Sequence, residues 1–436
     1  MLDQHSAKHR GGSSERDEDN QEAAKEERAR ERDLPIDAPV PRGGQILDAD
    51  AADRRQVAGL LTRTDMVRSM NAATQQLERP KLVDQAAGKR AFVSEELARA
   101  RGDVLIVYGA PTARWLLCGR GGSLAWGGDK RACAVVVDEH ETLVLVPENE
   151  RDRATQEESL DDLGARLAWY PGRKQLADAV ARLAGRRRAV SDAQLESRLA
   201  PLRQRLVEAE CERLRAAGNA CAEAADSALE RFHSALTERE AQAELTYQLC
   251  LRGFGHVAVS VAGEIRQLGY ERAPTTDAPL RRHAILDIEG ERDGLHVSLT
   301  RIISFVEPSA LVRSRVAIAA EIEARMLAAS SAGAHIDAIL AVGSKAYSVF
   351  GFSGDWRNHC QGGLGGYTSP LRDASRASPA ALQDSCTVSW RPSLPGGGAS
   401  QDTVLVSPAG LEVVTRMPDH PELLTSGLPR PAIIAL

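Results

Sequence analysis

The chain has 436 residues, 43% of them hydrophobic and 27% charged, with a formal net charge of −6. That is enough apolar sequence for one or two ordinary cores, and the acidic balance excludes nucleic acid or an anionic membrane surface as a partner. No apolar run approaches the ~18 residues that span a bilayer, and charge from Asp3 onward argues against a signal peptide. The seven cysteines are scattered without C-x-x-C spacing, which fits a reduced, cytoplasmic protein.

Residues 1–78 read as a disordered tail, because charge, Gly, Ser and Gln dominate and too little apolar surface is available to offset chain entropy. Met66 and Met70 stand as alternative starts, and truncation at Met66 is expected to leave stability unchanged. A small α/β segment over 79–201 follows. Ser94 is placed to N-cap a short helix at Val93–Leu97, and Asp103–Tyr108 reads as a continuous apolar strand. Arg114–Leu117 begins another element, and the runs 133–138 and 142–146 form a hairpin around Glu139-His140-Glu141. Two amphipathic helices flank a short strand at 188–190. Strands alternating with helices over this length indicate an α/β unit.

Residues 202–436 suit one α+β domain with an internal repeat. Thr237 and Glu240 form a capping box that starts a helix stopping at Gly253-Phe254. A comparable helix begins at Ile336 and stops at Gly351-Phe352. Each follows another long helix (205–232 and 313–330) and precedes strand-and-turn sequence. Ala284–Asp287, a charged turn with two glycines, and a run ending Leu299-Thr300-Arg301 read as a hairpin. The glycine clusters at 362–366 and 395–398 lack a following Lys-Ser/Thr and read as turns.

The hairpin resembles the Asp-x-Gly … Ser-Asp-x-Thr-Arg signature of the creatinase/aminopeptidase P/prolidase (M24, pita-bread) family. Trp356–Tyr367 resembles its W-x-x-H-H-Q-G-G-x-x-G-Y block. Trp390-Arg391-Pro392-Ser393 resembles W-N-P-S, Gln401-Asp402-Thr403 resembles E-D-T, and Gly410–Thr415 matches the last strand. The resemblance implies a pita-bread domain at 202–436 behind a creatinase-type N-terminal domain at 79–201, and a homodimer. In the metallopeptidase members two aspartates of the hairpin bridge two divalent ions. Here the first is Asp287 and the second falls on Ser298. The metal histidine falls on His359 or Cys360, and the two glutamates on Asp373 and Gln401. The histidine of the family's R-H-P segment is lost in Arg272-Ala273-Pro274.

With two carboxylate positions neutral, the resemblance implies no dimetal cofactor, and at most a weakly held single divalent ion. It leaves an enzyme acting on a C–N bond of a small peptide-like or guanidino substrate. His359 would be the base, Asp373 its partner and Asp287 an orienter, with Gln361, Gly362 and Tyr367 binding substrate. On that reading His359→Ala abolishes turnover and Cys360→Ser is nearly silent. The alternatives are a catalytically silent relative that binds a peptide or protein, or a repurposed biosynthetic enzyme. Bland roles stand beside these: Cys360 as packing, His296 and His256 as ordinary histidines, Arg301 paired with a carboxylate below the site, and Asp402 and Thr403 bracing the last hairpin.

Overall fold

Two apolar patterns, continuous runs and amphipathic repeats, divide the described residues of the chain. The computed structural model describes residues 81–122, 124, 133–172, 175–270, 273–370 and 381–436. The N-terminal tail, Arg272 and Asp373 therefore lie outside the described residues. No described helix is long and apolar enough to cross a membrane.

The continuous runs build the first sheet. Val104–Val107 (β1), Ala134–Val137 (β2), Thr142–Pro147 (β3), Arg166–Tyr170 (β4) and Ala189–Ser191 (β5) lie in the order β4-β3-β2-β1-β5. β2 is antiparallel to β1 and β3, while β3–β4 and β1–β5 are parallel. β1, β2 and β3 are buried along their whole length, which is why they read as apolar without alternation. Residues 81–99 form one helix. This corrects the short helix expected to start at Ser94: its hydroxyl donates to the Arg90 carbonyl, 3.1 Å away, inside the helix instead of capping it.

The amphipathic repeats build two similar halves. In the first, helices Glu208–Leu229 and Glu238–Leu251 precede His256–Gly263 (β6), His283–Arg292 (β7) and Leu295–Ser304 (β8). The capping box forms as the sequence indicates: Glu240 N donates to Thr237 Oγ1 at 3.2 Å, and Thr237 N to Glu240 Oε2 at 2.9 Å. In the second half, helices Ala310–Ala328 and Ile336–Val349 precede Gly362–Leu364 (β9), Cys386–Trp390 (β10), Ser393–Leu394 (β11), Gly398–Ala399 (β12), Val404–Ser407 (β13) and Gly410–Val413 (β14). Gly253 and Gly351 end the equivalent helices at φ of 83° and 86°, a left-handed conformation that glycine adopts without strain. Gly362–Leu364 is a strand on β10, which corrects the turn expected there.

β9, β10, β13 and β14 form one sheet in the order β14-β13-β10-β9. Glu422–Thr425 (β15) and Leu428–Pro431 (β16) form a hairpin, and Ile434–Ala435 (β17) pairs parallel to β8 at the edge of the sheet β17-β8-β7-β6. The halves meet where Thr300 N donates to Gln401 O (3.0 Å) and His296 N to Gly366 O (2.9 Å). The largest apolar core runs from Val93, Trp115 and Leu199 through Leu214 to Leu286 and Val297.

Candidate functional site

The β7–β8 hairpin presents the candidate residues. Its two-residue turn is Asp293-Gly294, with φ of 51° and 79°, which fixes the register of the ten-residue strands. Asp287 then stands opposite Thr300, Glu289 opposite Ser298, and Glu291 opposite His296. Side chains alternate across a strand, so these six share one polar face. Leu286, Ile288, Val297 and Leu299 take the other face into the core.

Asp287 is 5% exposed and is tied up on both oxygens. Arg391 Nε donates to Oδ1 at 2.8 Å and Arg391 Nη2 to Oδ2 at 2.7 Å, a bidentate pair in which the arginine is 1% exposed. Thr300 Oγ1 donates to Asp287 Oδ1 at 2.6 Å and lies 3.1 Å from Gln401 Oε1. Gln401 Nε2 donates to Ser389 Oγ (3.0 Å), whose hydroxyl donates to the Asp402 carbonyl (3.0 Å). Ser298 Oγ and Thr387 Oγ1 are buried without a hydrogen-bond partner.

This donor set does not fit a divalent metal pair. Such a pair needs about five hard or borderline ligands, with carboxylates bridging the ions. Among the described residues no group of three or more His, Cys, Asp or Glu side chains is placed to hold a metal ion. Ser298 and Gln401 contribute no charge, and the only carboxylate in this hydrogen-bonded set, Asp287, is already neutralised by a guanidinium. A divalent ion at Asp287 would sit against that fixed positive charge in a buried setting, where repulsion is poorly screened.

His359 and Gln361 form a neighbouring unit. Gln361 Nε2 donates to the Trp356 carbonyl at 2.9 Å and lies 2.8 Å from His359 Nε2, while Gln361 Oε1 accepts from Tyr347 Oη at 3.2 Å. With its oxygen facing the tyrosine, the amide nitrogen must be the donor to the imidazole, which assigns the His359 proton to Nδ1. The unit joins the Asp287 cluster through backbone, with Arg391 N donating to Gln361 O at 2.9 Å. His359 and Cys360 are half-buried and precede β9 in irregular backbone, so the alternation of a strand does not govern them.

Tyr367 stands in a different cluster. Its hydroxyl donates to Glu210 Oε1 (2.7 Å) and accepts from Arg213 Nη2 (3.2 Å), while Lys89 Nζ pairs with Glu210 at 2.6 Å and lies 5.3 Å over the tyrosine ring. Burial pushes the Tyr367 phenol well above its usual range. Burial would also raise Glu210, but Lys89 and the donated hydroxyl hold that carboxyl below its usual value. Arg301 pairs with Asp402 at 2.8 Å, and Thr415 Oγ1 donates to Asp402 at 2.8 Å, the bracing roles expected for this segment. His296 Nδ1 lies 3.3 Å from Glu289 and its Nε2 4.0 Å from Glu291, which is ion-paired with Arg114.

Gly362 has a backbone reason to be glycine. Its φ is 86°, and a Cβ there would lie 2.0 Å from the Ser389 carbonyl oxygen on the paired strand. Gly362→Ala is therefore expected to destabilise by about 2–4 kcal/mol, from left-handed strain plus a contact that backbone cannot relieve. Urea unfolding measures it, and an unchanged midpoint would show that β9 is not held against β10 in this way.

The structure thus brings Asp287, Thr300, Ser389, Arg391 and Gln401 into one hydrogen-bonded set. It leaves Tyr367 in another cluster, and Asp373 lies outside the described residues. Arg391 and Thr300 were missed as site residues. The available signal was an arginine in the Trp-Arg-Pro-Ser segment where the similar pattern carries asparagine.

No curated protein matches this sequence. The sequence profile of metallopeptidase family M24 matches residues 212–408. Among solved structures, the prolidase from Pyrococcus horikoshii superposes with a TM-score of 0.61 at 15% identity, covering 76% of this chain and 98% of that one. The Xaa-Pro dipeptidase from Bacillus anthracis gives 0.60 at 16% identity, covering 80% and 100%. The X-Pro aminopeptidase from Thermotoga maritima gives 0.55 at 19%, covering 77% and 98%. The two helix–helix–strand halves, the profile match over residues 212–408 and these superpositions agree on the architecture: the chain has the α+β pita-bread fold of these solved structures.

Proposed function

We propose that this chain is an M24-type peptidase-fold protein without metal-dependent peptide hydrolysis, a pseudo-peptidase that keeps the scaffold to bind a peptide-like ligand or a protein partner. The observation that carries the reading is the state of the ligand positions. Gln401 presents its amide to Ser389 and Thr300, Ser298 offers a neutral hydroxyl, and Asp287, the carboxylate at a ligand position among the described residues, is neutralised by Arg391.

The same geometry weighs against a metal-free hydrolase of the kind expected from His359, Asp373 and Asp287. A general base needs a free lone pair on its basic nitrogen. His359 Nε2 already accepts from Gln361, and Asp287 is already committed to a guanidinium.

Elemental analysis of the purified full chain, together with hydrolysis assays on Xaa-Pro dipeptides in added manganese or cobalt, tests the proposal. Less than one tightly bound divalent ion per chain and no turnover are expected. About two ions per chain with proline-specific cleavage would overturn it.

A further inference from the structure

We infer that the pocket around Asp287 is a guanidinium-binding site that the chain fills with its own Arg391. This deepens the reading above, that the pocket is not a metal centre, by naming what occupies it.

Three observations carry the inference. The pair is bidentate, with Nε and Nη2 of one planar guanidinium facing the two oxygens of one carboxylate at 2.8 and 2.7 Å. That fork-on-fork match is specific to guanidinium, since an ammonium offers a point charge and no fork. The carboxylate is also held by Thr300 Oγ1, which donates at 2.6 Å to the same Oδ1 that Arg391 Nε bonds, so the acceptor geometry does not depend on the arginine alone. Finally, the backbone that delivers Arg391 is fixed on both sides. Trp390 is fully buried with its Nε1 donating to Ser330 Oγ at 2.9 Å, Arg391 N donates to Gln361 O at 2.9 Å, and Ser393 N donates to Tyr347 Oη at 2.9 Å.

A side chain delivered from fixed backbone has little entropy left to lose, so it outcompetes a free ligand of the same chemistry. The consequence is specific. In the native chain neither a divalent ion nor a guanidino compound displaces Arg391 from Asp287. Once the side chain is removed, the pocket that remains should accept a free guanidinium ion.

Thermal melting of full-length Arg391→Ala against millimolar guanidinium chloride, with sodium chloride and urea as controls, tests this. Guanidinium is expected to raise the melting temperature saturably, by roughly 5 °C at a hundredfold excess over its Kd, while the controls and the unsubstituted chain show no rise. Adding Asp287→Asn to Arg391→Ala should abolish the rescue, and Arg391→Lys should not respond, because its ammonium keeps the pocket charged.

No saturable response in Arg391→Ala, or an equal response in the double variant, overturns the inference. If Arg391→Ala does not fold, Arg391→Met alone is compared with Arg391→Met/Asp287→Leu. The double must be the more stable of the two, and equal stability would show that no such pair exists. Metal content and peptide hydrolysis of the unsubstituted chain test the pseudo-peptidase reading separately, so failure of one leaves the other standing.

Discussion

A chain carrying Arg391→Asn, Ser298→Asp and Gln401→Glu is expected to bind divalent metal, whereas Ser298→Asp/Gln401→Glu alone is not. Sequence comparison by itself makes the double variant look sufficient, because it returns two carboxylates to positions where the family carries them. The structure adds the term that decides. In the double variant Arg391 would still sit 2.7 Å from Asp287 Oδ2, with two new carboxylates available to pair with it. A buried guanidinium cannot deprotonate, so it stays charged and opposes a divalent ion at a few ångströms. Asparagine, the residue of the similar W-N-P-S segment, removes that charge and keeps polarity. Isothermal titration with manganese is expected to give at least a tenfold higher affinity for the triple than for the double variant. Equal affinities would show that Arg391 is not the obstacle.

Replacing Arg430 by methionine is expected to be among the most destabilising single substitutions in the chain, at about 3–5 kcal/mol. Arg430 is wholly buried and donates to Glu323 through Nε (3.0 Å) and Nη2 (2.8 Å), with Asp402 as a further ion-pair partner. Asp402 would keep Arg301 at 2.8 Å, but Glu323 would lose its one arginine partner and retain only Ser400 and the Asp402 amide. Removing one partner of a buried pair leaves a charge with neither water nor counter-ion, hence the size of the effect. The control is Arg416→Met, whose pair with Glu422 is half exposed and is expected to contribute less than about 1 kcal/mol.

The pH dependence has a definite sign. Burial pushes the Glu323 carboxyl from 4.5 up to about 7, against the pull of Arg430. A carboxyl raised in the folded state stabilises fully below its unfolded value and loses that contribution as pH climbs through the folded one. Without Arg430 the carboxyl rises further, so above about 7 the variant's carboxyl is protonated where the parent's is not, and the deficit should shrink as pH falls through that range toward about 7 and stay constant below it. A deficit that does not change as pH is lowered from about 9 to about 7, measured by urea unfolding, would show that Glu323 is not the group left exposed to the loss.

Features with short-range causes were legible. The Thr237–Glu240 box is closed by contacts three residues apart, and the glycines at 253 and 351 end helices through their own backbone freedom. The Asp293-Gly294 turn sets the register that puts Asp287 and Ser298 on one face. Ser94 was misread because the same hydroxyl can cap a helix or bond back to the preceding turn, and only the chain N-terminal to it, helical from 81, selects the second.

The candidate site divides along the same line. That Ser298 and Gln401 stand where the similar family pattern carries carboxylates is a property of residue identity, and it was legible in the sequence alone, as were the repeated halves of the fold. That Arg391 reaches Asp287 across 104 residues, and that Tyr367 serves Glu210 from 157 residues away, was decided by tertiary structure. The physical reason is that a buried charge is satisfied by whichever counter-charge the packed backbone delivers to it. Sequence spacing carries no record of that delivery; it exists only once the fold brings the residue that follows β10 against the β7–β8 hairpin of the other sheet.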